Sequence, residues 1–221
     1  MRRQAAPAPA PAPAPASGFL RPSLRIAAAS LLAISLSGCI SLLPKAKPSQ
    51  LYRFGVPVTA APLPPRPDAI GVFRAGGAFQ TEAAGDRILT VTGERIAYLA
   101  ETRWAAPAAV LFDEAVAQAF DAAPGRVRLV ARGEPARADL ALRLDVRNFE
   151  TRYGEGQDPV VVIRIRAVLT RPQGQAAVAE QMFEARIPAE RNRVSAIVAA
   201  YNQGLDKVLG EIAAWTNSSA A

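Results

Sequence analysis

The sequence predicts an α/β fold, with a mixed, largely antiparallel sheet, one strand-helix-strand crossover and a long C-terminal helix packed on the sheet. Three observations predict this class. Apolar and polar residues alternate with period two along three segments between residues 140 and 187, which is typical of strands that bury one face. A helical repeat of apolar residues follows Pro107, and a longer repeat runs from Val194 to Trp215.

The first predicted strands are short and lie on both sides of a proline-rich stretch. Residues 51–54 and 70–73 have the composition of strands. Five prolines between residues 57 and 67 exclude a central strand or a helix there. Residues 88–91 and 95–102 flank Gly93 at the spacing of a hairpin turn.

A helix is predicted after Pro107, which suits the first helical position N1. The apolar residues that share one face of this helix are Leu111, Phe112, Ala115, Val116, Ala119 and Phe120. Pro124 and Gly125 end the helix. A strand at residues 127–130 then completes the strand-helix-strand unit, which we expect to be a parallel crossover.

The strongest strand patterns follow. Four apolar residues alternate with polar or small ones from Leu140 to Val146, and residues 163–169 and 178–187 show similar patterns. We expect Glu180, Glu184 and Arg186 to lie opposite Arg164 and Arg166. The apolar stripe of the C-terminal helix packs on the sheet or, alternatively, contacts a partner through its end at Trp215.

Several function classes are excluded by composition. The 221 residues include no His and one Cys, which excludes Ser-His-Asp and Cys-His catalysis, imidazole metal sites and CxxC motifs. We interpret Asp139, Asp145 and Glu150 as solvated charges, because their spacing singles out no acid/base pair. We therefore predict a non-enzyme that holds neither a cofactor nor a metal.

The net charge of +7 does not indicate a nucleic-acid-binding protein. Four of these charges lie before residue 39, where Arg2, Arg3, Arg21 and Arg25 occur without any acidic residue. The remaining excess is small and is not clustered into a basic stripe.

The N-terminus has the organisation of a bacterial lipoprotein signal. Basic residues precede an apolar run at residues 26–36. As a helix this run would reach roughly 17 Å, too short for the ~30 Å hydrocarbon core of a membrane. The run ends in Leu36, Ser37, Gly38 and Cys39, which resemble a lipobox. Acylation of Cys39 would anchor the cleaved chain through two or three acyl chains. The alternatives are an ordinary signal peptide with a chance cysteine, or a buried apolar helix.

The chain therefore divides into four parts. Residues 1–38 form an Ala-Pro extension plus the signal peptide, and residues 39–49 form the lipidated cysteine and a tether. Residues 50–216 form one domain, and residues 217–221 form a disordered tail. Ile40, the residue after Cys39, favours the outer membrane over retention at the inner membrane.

The chain resembles the ABC-type transport auxiliary lipoprotein family, which includes the paraquat-inducible lipoprotein. The resemblance is carried by the lipobox, by residues 51–54 and above all by residues 95–107, Arg-Ile-Ala-Tyr-Leu-Ala-Glu-Thr-Arg-Trp-Ala-Ala-Pro. It covers roughly residues 36–216.

This resemblance implies a non-enzymatic subunit at the periplasmic side of the outer membrane. Its partner would be a mammalian-cell-entry (MCE) protein and, through it, an ABC permease and ATPase that move phospholipids. The resemblance is compatible with a homo-oligomer. Tyr98, Arg103 and Trp104 are our candidates for the partner surface. The alternative is that Tyr98 and Trp104 belong to the core and the edge of a strand.

Two other classes of lipoprotein remain open at this point. One carries lipids or assembles lipopolysaccharide without an ABC transporter, and it would need an apolar cavity. The other is an envelope-structural lipoprotein that resembles the N-terminal domain of the Tol-system propeller protein.

Overall fold

The computed structural model describes residues 48–55, 68–130, 138–154, 158–171 and 177–220. Over these residues it has eight strands, a 3-10 turn and two α-helices. The strands are β1 (Gln50–Tyr52), β2 (Ile70–Ala75), β3 (Arg87–Thr92), β4 (Arg95–Trp104), β5 (Val127–Val130), β6 (Leu140–Tyr153), β7 (Val160–Thr170) and β8 (Ala177–Pro188). The helices are α1 (Ala108–Ala122) and α2 (Val194–Ser219), and the 3-10 turn is Thr81–Ala83.

The described strands form one sheet around β6. One edge of β6 pairs with β7, which in turn pairs with β8, and both of these long ladders are antiparallel. The other edge of β6 pairs in parallel first with β2 and then with β3. Beyond these strands, β5 extends β2, while β4 and β1 extend β3. Because the longest ladders are antiparallel, the predicted mixed, largely antiparallel sheet is confirmed.

The strand-helix-strand unit is present, but its expected parallel orientation is wrong. Helix α1 connects β4 to β5 as predicted. However, β5 pairs in parallel with β2 and runs antiparallel to β4. The reason is that β4 is already paired with β3 along one edge and with β1 along part of the other. The chain therefore crosses to the far side of the sheet to find a free edge.

Both helices pack on the same face of the sheet and close one core. The apolar face predicted for α1 is buried, except that Ala119 is half-buried. Pro107 occupies the N-cap of this helix rather than the predicted position N1. Helix α2 approaches the sheet closely at Gly204, where a Cβ atom would lie 3.1 Å from Ile163 Cδ1. The largest fully buried side chains are Trp104, Tyr201, Phe54, Phe112 and Phe149. The stripe of α2 thus packs on the sheet, the first of the two alternatives above.

Helix α2 continues beyond the boundary expected at residue 216. It ends at Ser219, so the assignment of residues 217–219 to a disordered tail is wrong. The Asn217 Oδ1 atom accepts a hydrogen bond from the Val127 N–H at 2.9 Å, and its Nδ2 donates to the Pro124 carbonyl at 3.4 Å. These bonds tie the last turn of the helix to the start of β5.

The N-terminal segment joins the sheet through a short parallel pairing. Gln50, Leu51 and Tyr52 pair with the last three residues of β4. Phe54 then enters the core with 1% of its surface exposed. The next residue, Gly55, donates its N–H to Asn202 Oδ1 on α2 at 3.1 Å. The start of the folded domain is therefore bound both to the sheet, through β1, and to helix α2, through Gly55.

Some predictions concern residues outside the described part of the chain. The signal peptide, the lipobox with Cys39, most of the tether and the proline-rich stretch lie there. In the described part, no helix combines the length and the apolar character that crossing a membrane requires.

Candidate functional site

Trp104, one of the three residues proposed as a partner surface, is a core residue. Its side chain is 2% exposed. The ring packs edge-on against Phe54 at 4.8 Å between centroids and against Tyr201 at 5.3 Å. The expectation of a partner surface is therefore wrong for Trp104, because its contacts are already filled by the protein's own aromatic rings.

Tyr98 and Arg103 remain at or near the surface, but each has its own partners. The Arg87 guanidinium lies 3.8 Å from the centre of the Tyr98 ring, a cation–π contact. The Tyr98 hydroxyl donates to the Glu82 carbonyl at 3.1 Å. Arg103 Nη1 donates to Asp86 Oδ2 at 2.8 Å. Arg103 and Trp104 are consecutive in a strand and face opposite sides of the sheet, so the three residues do not form one patch.

A bulge in β4 sets this arrangement. Tyr98 pairs with Leu89, and Arg103 pairs with Arg87. Between these two pairs β3 has one residue, whereas β4 has four. Glu101 within the bulge has φ +53°, a conformation uncommon for residues other than glycine. A bulge redirects the side chains that follow it, and here it allows Trp104 to face the core.

A second candidate surface was not foreseen from the sequence. It covers β6, β7 and β8 on the side of the sheet opposite the helices, and we call it the arginine face. Its basic members are Arg143, Arg147, Arg152, Arg164, Arg166 and Arg186, and its acidic members are Asp145, Glu150, Glu180 and Glu184.

Asp145 lies at the centre of the arginine face and is fully buried. Its Oδ1 accepts hydrogen bonds from the Ala78 N–H at 3.0 Å and from Arg143 Nε at 2.9 Å. Its Oδ2 lies 3.5 Å from Arg166 Nη1 and 3.8 Å from Arg147 Nη2. Burial alone would raise the pKa of Asp145, but the Ala78 amide and the neighbouring guanidinium groups hold that pKa below its ordinary value.

Glu150 is the second buried carboxylate of the arginine face, at 3% exposure. It accepts hydrogen bonds from Gln80 Nε2 and from Arg152 Nε, both at 2.7 Å. Gln80 also accepts a hydrogen bond from the Phe149 N–H at 2.7 Å, beside the bulge in β6. The interpretation of Asp145 and Glu150 as solvated charges is therefore wrong.

The exposed ion pairs of the arginine face follow the expected cross-strand positions in part. Arg166 binds Glu180 through two hydrogen bonds of 2.6 and 2.7 Å. Glu184 lies 3.6 Å from Arg164 and 3.3 Å from Arg186. The hydrogen bonds from Arg166 lower the pKa of Glu180. The prediction is confirmed for Glu184, which pairs with Arg164, whereas Glu180 pairs with Val168 and reaches Arg166 diagonally. Arg186 pairs with Val162 rather than with an arginine.

The arginine face is rich in guanidinium N–H donors. In the described ranges, no three His, Cys, Asp or Glu side chains are grouped so that they could hold a metal ion. Each of its carboxylates is engaged by arginine. Guanidinium groups offer several N–H donors in a planar fork, which matches carboxylate and phosphate oxygens.

Comparison with known families decides which group of proteins this chain represents. A family described as "ABC-type transport auxiliary lipoprotein component" matches residues 83–213. The chain belongs to this family. The match begins in the 3-10 turn and ends in α2, so it includes buried Trp104 and the whole arginine face of this auxiliary lipoprotein. A non-enzymatic auxiliary role at a membrane of the cell envelope agrees with the family description.

Two solved structures are similar to this auxiliary lipoprotein. A Xanthomonas campestris protein of the DUF330 family is 25% identical, with a TM-score of 0.66 over 78% of this chain and 97% of that protein. An uncharacterized protein is 16% identical, with a TM-score of 0.59 over 76% of this chain and 99% of the other. The second likeness shows the fold alone. A comparison with curated proteins finds no match.

Proposed function

We propose that this protein is a lipid-anchored, non-enzymatic subunit of an ABC/MCE phospholipid transport system, which docks the periplasmic MCE assembly at the outer membrane. The observation that carries the proposal is the family match over residues 83–213. The lipobox at residues 36–39 supports the anchor, because it places the sole Cys directly behind an apolar segment of signal-peptide length.

The anchor and the tether define where the domain works. Acyl chains on Cys39 hold the chain at the bilayer. Residues 41–50 extend at most about 3.5 Å each, so the folded domain stays within roughly 35 Å of the membrane. From this position the domain holds the MCE assembly beside the leaflet with which lipid is exchanged.

The packing of the core favours docking over lipid carriage. A lipid carrier needs an apolar cavity that accepts acyl chains. In the described part, a cluster of aromatic rings in mutual contact lies between the sheet and the helices. Phe149 lies 5.1 Å from Phe54 and 4.8 Å from Tyr201, measured between ring centroids.

Affinity purification of the tagged full-length protein from membranes tests the proposal. The wild-type protein is expected to fractionate with the outer membrane and to co-purify with an MCE protein, a permease and an ATPase. Cys39→Ser should leave the outer-membrane fraction, because the acylated thiol is lost. Genes for these three partners beside this one would support the same conclusion.

Two results would contradict the proposal. One is an unmodified Cys39 thiol by mass spectrometry. The other is a stoichiometric phospholipid extracted from the purified protein without any transporter subunit, which would support the lipid-carrying alternative.

A further inference from the structure

We propose that the arginine face is a membrane-contact surface that binds the phosphate groups of anionic phospholipids. This proposal deepens the proposed function and rests on its lipid anchor at Cys39. It assigns the side of the sheet opposite the helices to the bilayer, which leaves the helix side to other partners.

The exposed charge of the arginine face is basic. Its six arginine side chains are between 31% and 56% exposed. Of its four carboxylates, Asp145 and Glu150 are buried, which leaves Glu180 and Glu184 at the surface. The buried carboxylates hold the guanidinium groups in place while the guanidinium groups themselves reach the solvent. A phosphate layer meets this surface with complementary charge.

Apolar side chains share the same side of the sheet. Met182 pairs with Arg166 across β7 and β8 and is 42% exposed. Val178 of β8 and Phe73 of β2 are each 37% exposed. Phe73 pairs with Ala141, which is on the same side as Arg143 and Asp145. Basic residues combined with large apolar residues are also found on amphipathic helices that lie in a membrane interface.

The anchor supplies proximity to the membrane, so the contact does not have to be strong. A short tether gives an effective concentration in the millimolar range for the second contact. Each arginine near an anionic surface contributes roughly a fivefold change in binding. Four arginines in particular, Arg143, Arg147, Arg164 and Arg186, expose about half of the side chain or more. Together they favour the orientation in which β6, β7 and β8 face the bilayer.

A site-specific fluorescent probe tests this orientation in the lipidated full-length protein. In Met182→Cys the new thiol is the sole free one, because Cys39 is acylated, and it is labelled with bimane. Val110→Cys is the matched control, since Val110 lies on α1 at 49% exposure on the helix side. The proteins are reconstituted in phosphatidylethanolamine vesicles with either phosphatidylglycerol or phosphatidylcholine. Both vesicles contain a lipid with a nitroxide quencher on its headgroup.

The expected result is several-fold stronger quenching at position 182 than at position 110 in the phosphatidylglycerol vesicles. Quenching at position 182 should fall to the control level with phosphatidylcholine, and also at 1 M salt, where the Debye length shortens to about 3 Å. Arg147→Gln and Arg186→Gln should each reduce the population of the bound orientation roughly fivefold. Arg53→Gln is the control and should leave this population unchanged. Arg53 is similarly exposed, at 51%, but it pairs with Glu114 of α1 and is not part of the arginine face.

Three outcomes would overturn the assignment. If position 182 is unquenched while the protein still sediments with the vesicles, the arginine face does not contact the membrane although the anchor holds. If an added MCE protein then shields the probe at position 182, the arginine face binds a protein partner instead of the membrane. Equal quenching in both lipid mixtures would show that the guanidinium groups are not the cause. If instead the protein fails to sediment, the lipid anchor itself is wrong, and the proposed function fails with it.

Discussion

Phe54 packs edge-on against Trp104, with their ring centroids 4.8 Å apart and their planes at 88°. The contact joins the segment that leads in from the tether to the last residue of β4. Both rings also contact Phe149, at 5.1 and 6.5 Å. Trp104, which lies in the segment that above all carries the family resemblance, therefore helps to fix the N-terminal segment within the core.

Replacing Trp104 by Ala should unfold or strongly destabilise the domain. Deletion of a buried aromatic side chain typically costs about 3–5 kcal/mol of unfolding free energy. Chemical denaturation followed by circular dichroism measures the loss. Arg103→Ala is the neighbouring control and should change stability by less than about 1 kcal/mol, because its ion pair is exposed. A stably folded Trp104→Ala protein that had merely lost a partner would contradict the core assignment.

Gly77→Ala should destabilise the fold, whereas Gly76→Ala should not. A Cβ atom on Gly77 would lie 1.9 Å from the Leu144 carbonyl oxygen, while a Cβ atom on Gly76 would meet nothing within 4 Å. Backbone atoms of the central strand cannot easily give way, so we expect a loss of about 1–3 kcal/mol, as for overpacked sites. Thermal unfolding of the two variants compares them directly. Equal midpoints would show that β6 can move away from this segment.

Asp145→Asn should lower stability at neutral pH and flatten its dependence on acid pH. Because the pKa of Asp145 is below its ordinary value of 3.8, its carboxylate stabilises the folded state above that pH. This contribution is lost as pH falls through the folded-state pKa. The Asn variant lacks the contribution throughout, which costs about 1–3 kcal/mol at pH 7.

Urea denaturation between pH 7 and pH 2 measures both effects of Asp145→Asn. Glu180→Gln is a control on the same face, since that carboxylate is exposed and its loss should change stability little. A parallel shift of the wild-type and Asn curves across the whole pH range would show that the Asp145 carboxylate does not titrate as described.

Asn217→Ala should weaken the link between α2 and β5. The Asn217 side chain accepts from Val127 N and donates to the Pro124 and Ala213 carbonyls. Loss of these bonds leaves the Val127 amide without this acceptor, at a cost of about 1–3 kcal/mol. Hydrogen exchange at Val127 reports the change locally. Ser218→Ala, one residue further along the helix, is the control, and similar exchange in the two variants would contradict the role of Asn217.

Local patterns in the sequence were sufficient for most elements. The alternation in β6 and β7 and the helical stripe of α2 reflect burial on one side of a regular element, and burial follows directly from spacing. The partners of β5 could not be predicted in this way. They depend on which strand edges are still free after β1 and β3 have paired with β4, and that is a property of the whole sheet.

The arginine face shows why charged residues are harder to interpret from sequence. A charge in an alternating strand is normally solvated, and Arg143 conforms to this expectation at 52% exposure. Asp145 does not, because the chain at Ala78 crosses beside it and Arg166 reaches it from the next strand. One local signal existed: Asp145 has an arginine two positions away on each side, and these side chains share its face.

The short parallel pairing of β1 with β4 has a mechanical consequence. In an anchored protein, any force from the membrane enters the fold at Gln50, the first residue of β1. The force loads the hydrogen bonds between β1 and β4 before it reaches Phe54, which would have to leave the aromatic core for the chain to peel further. In the proposed assembly, tension between membrane and transporter would thus be resisted first by the backbone hydrogen bonds of β1 and then by the buried ring of Phe54.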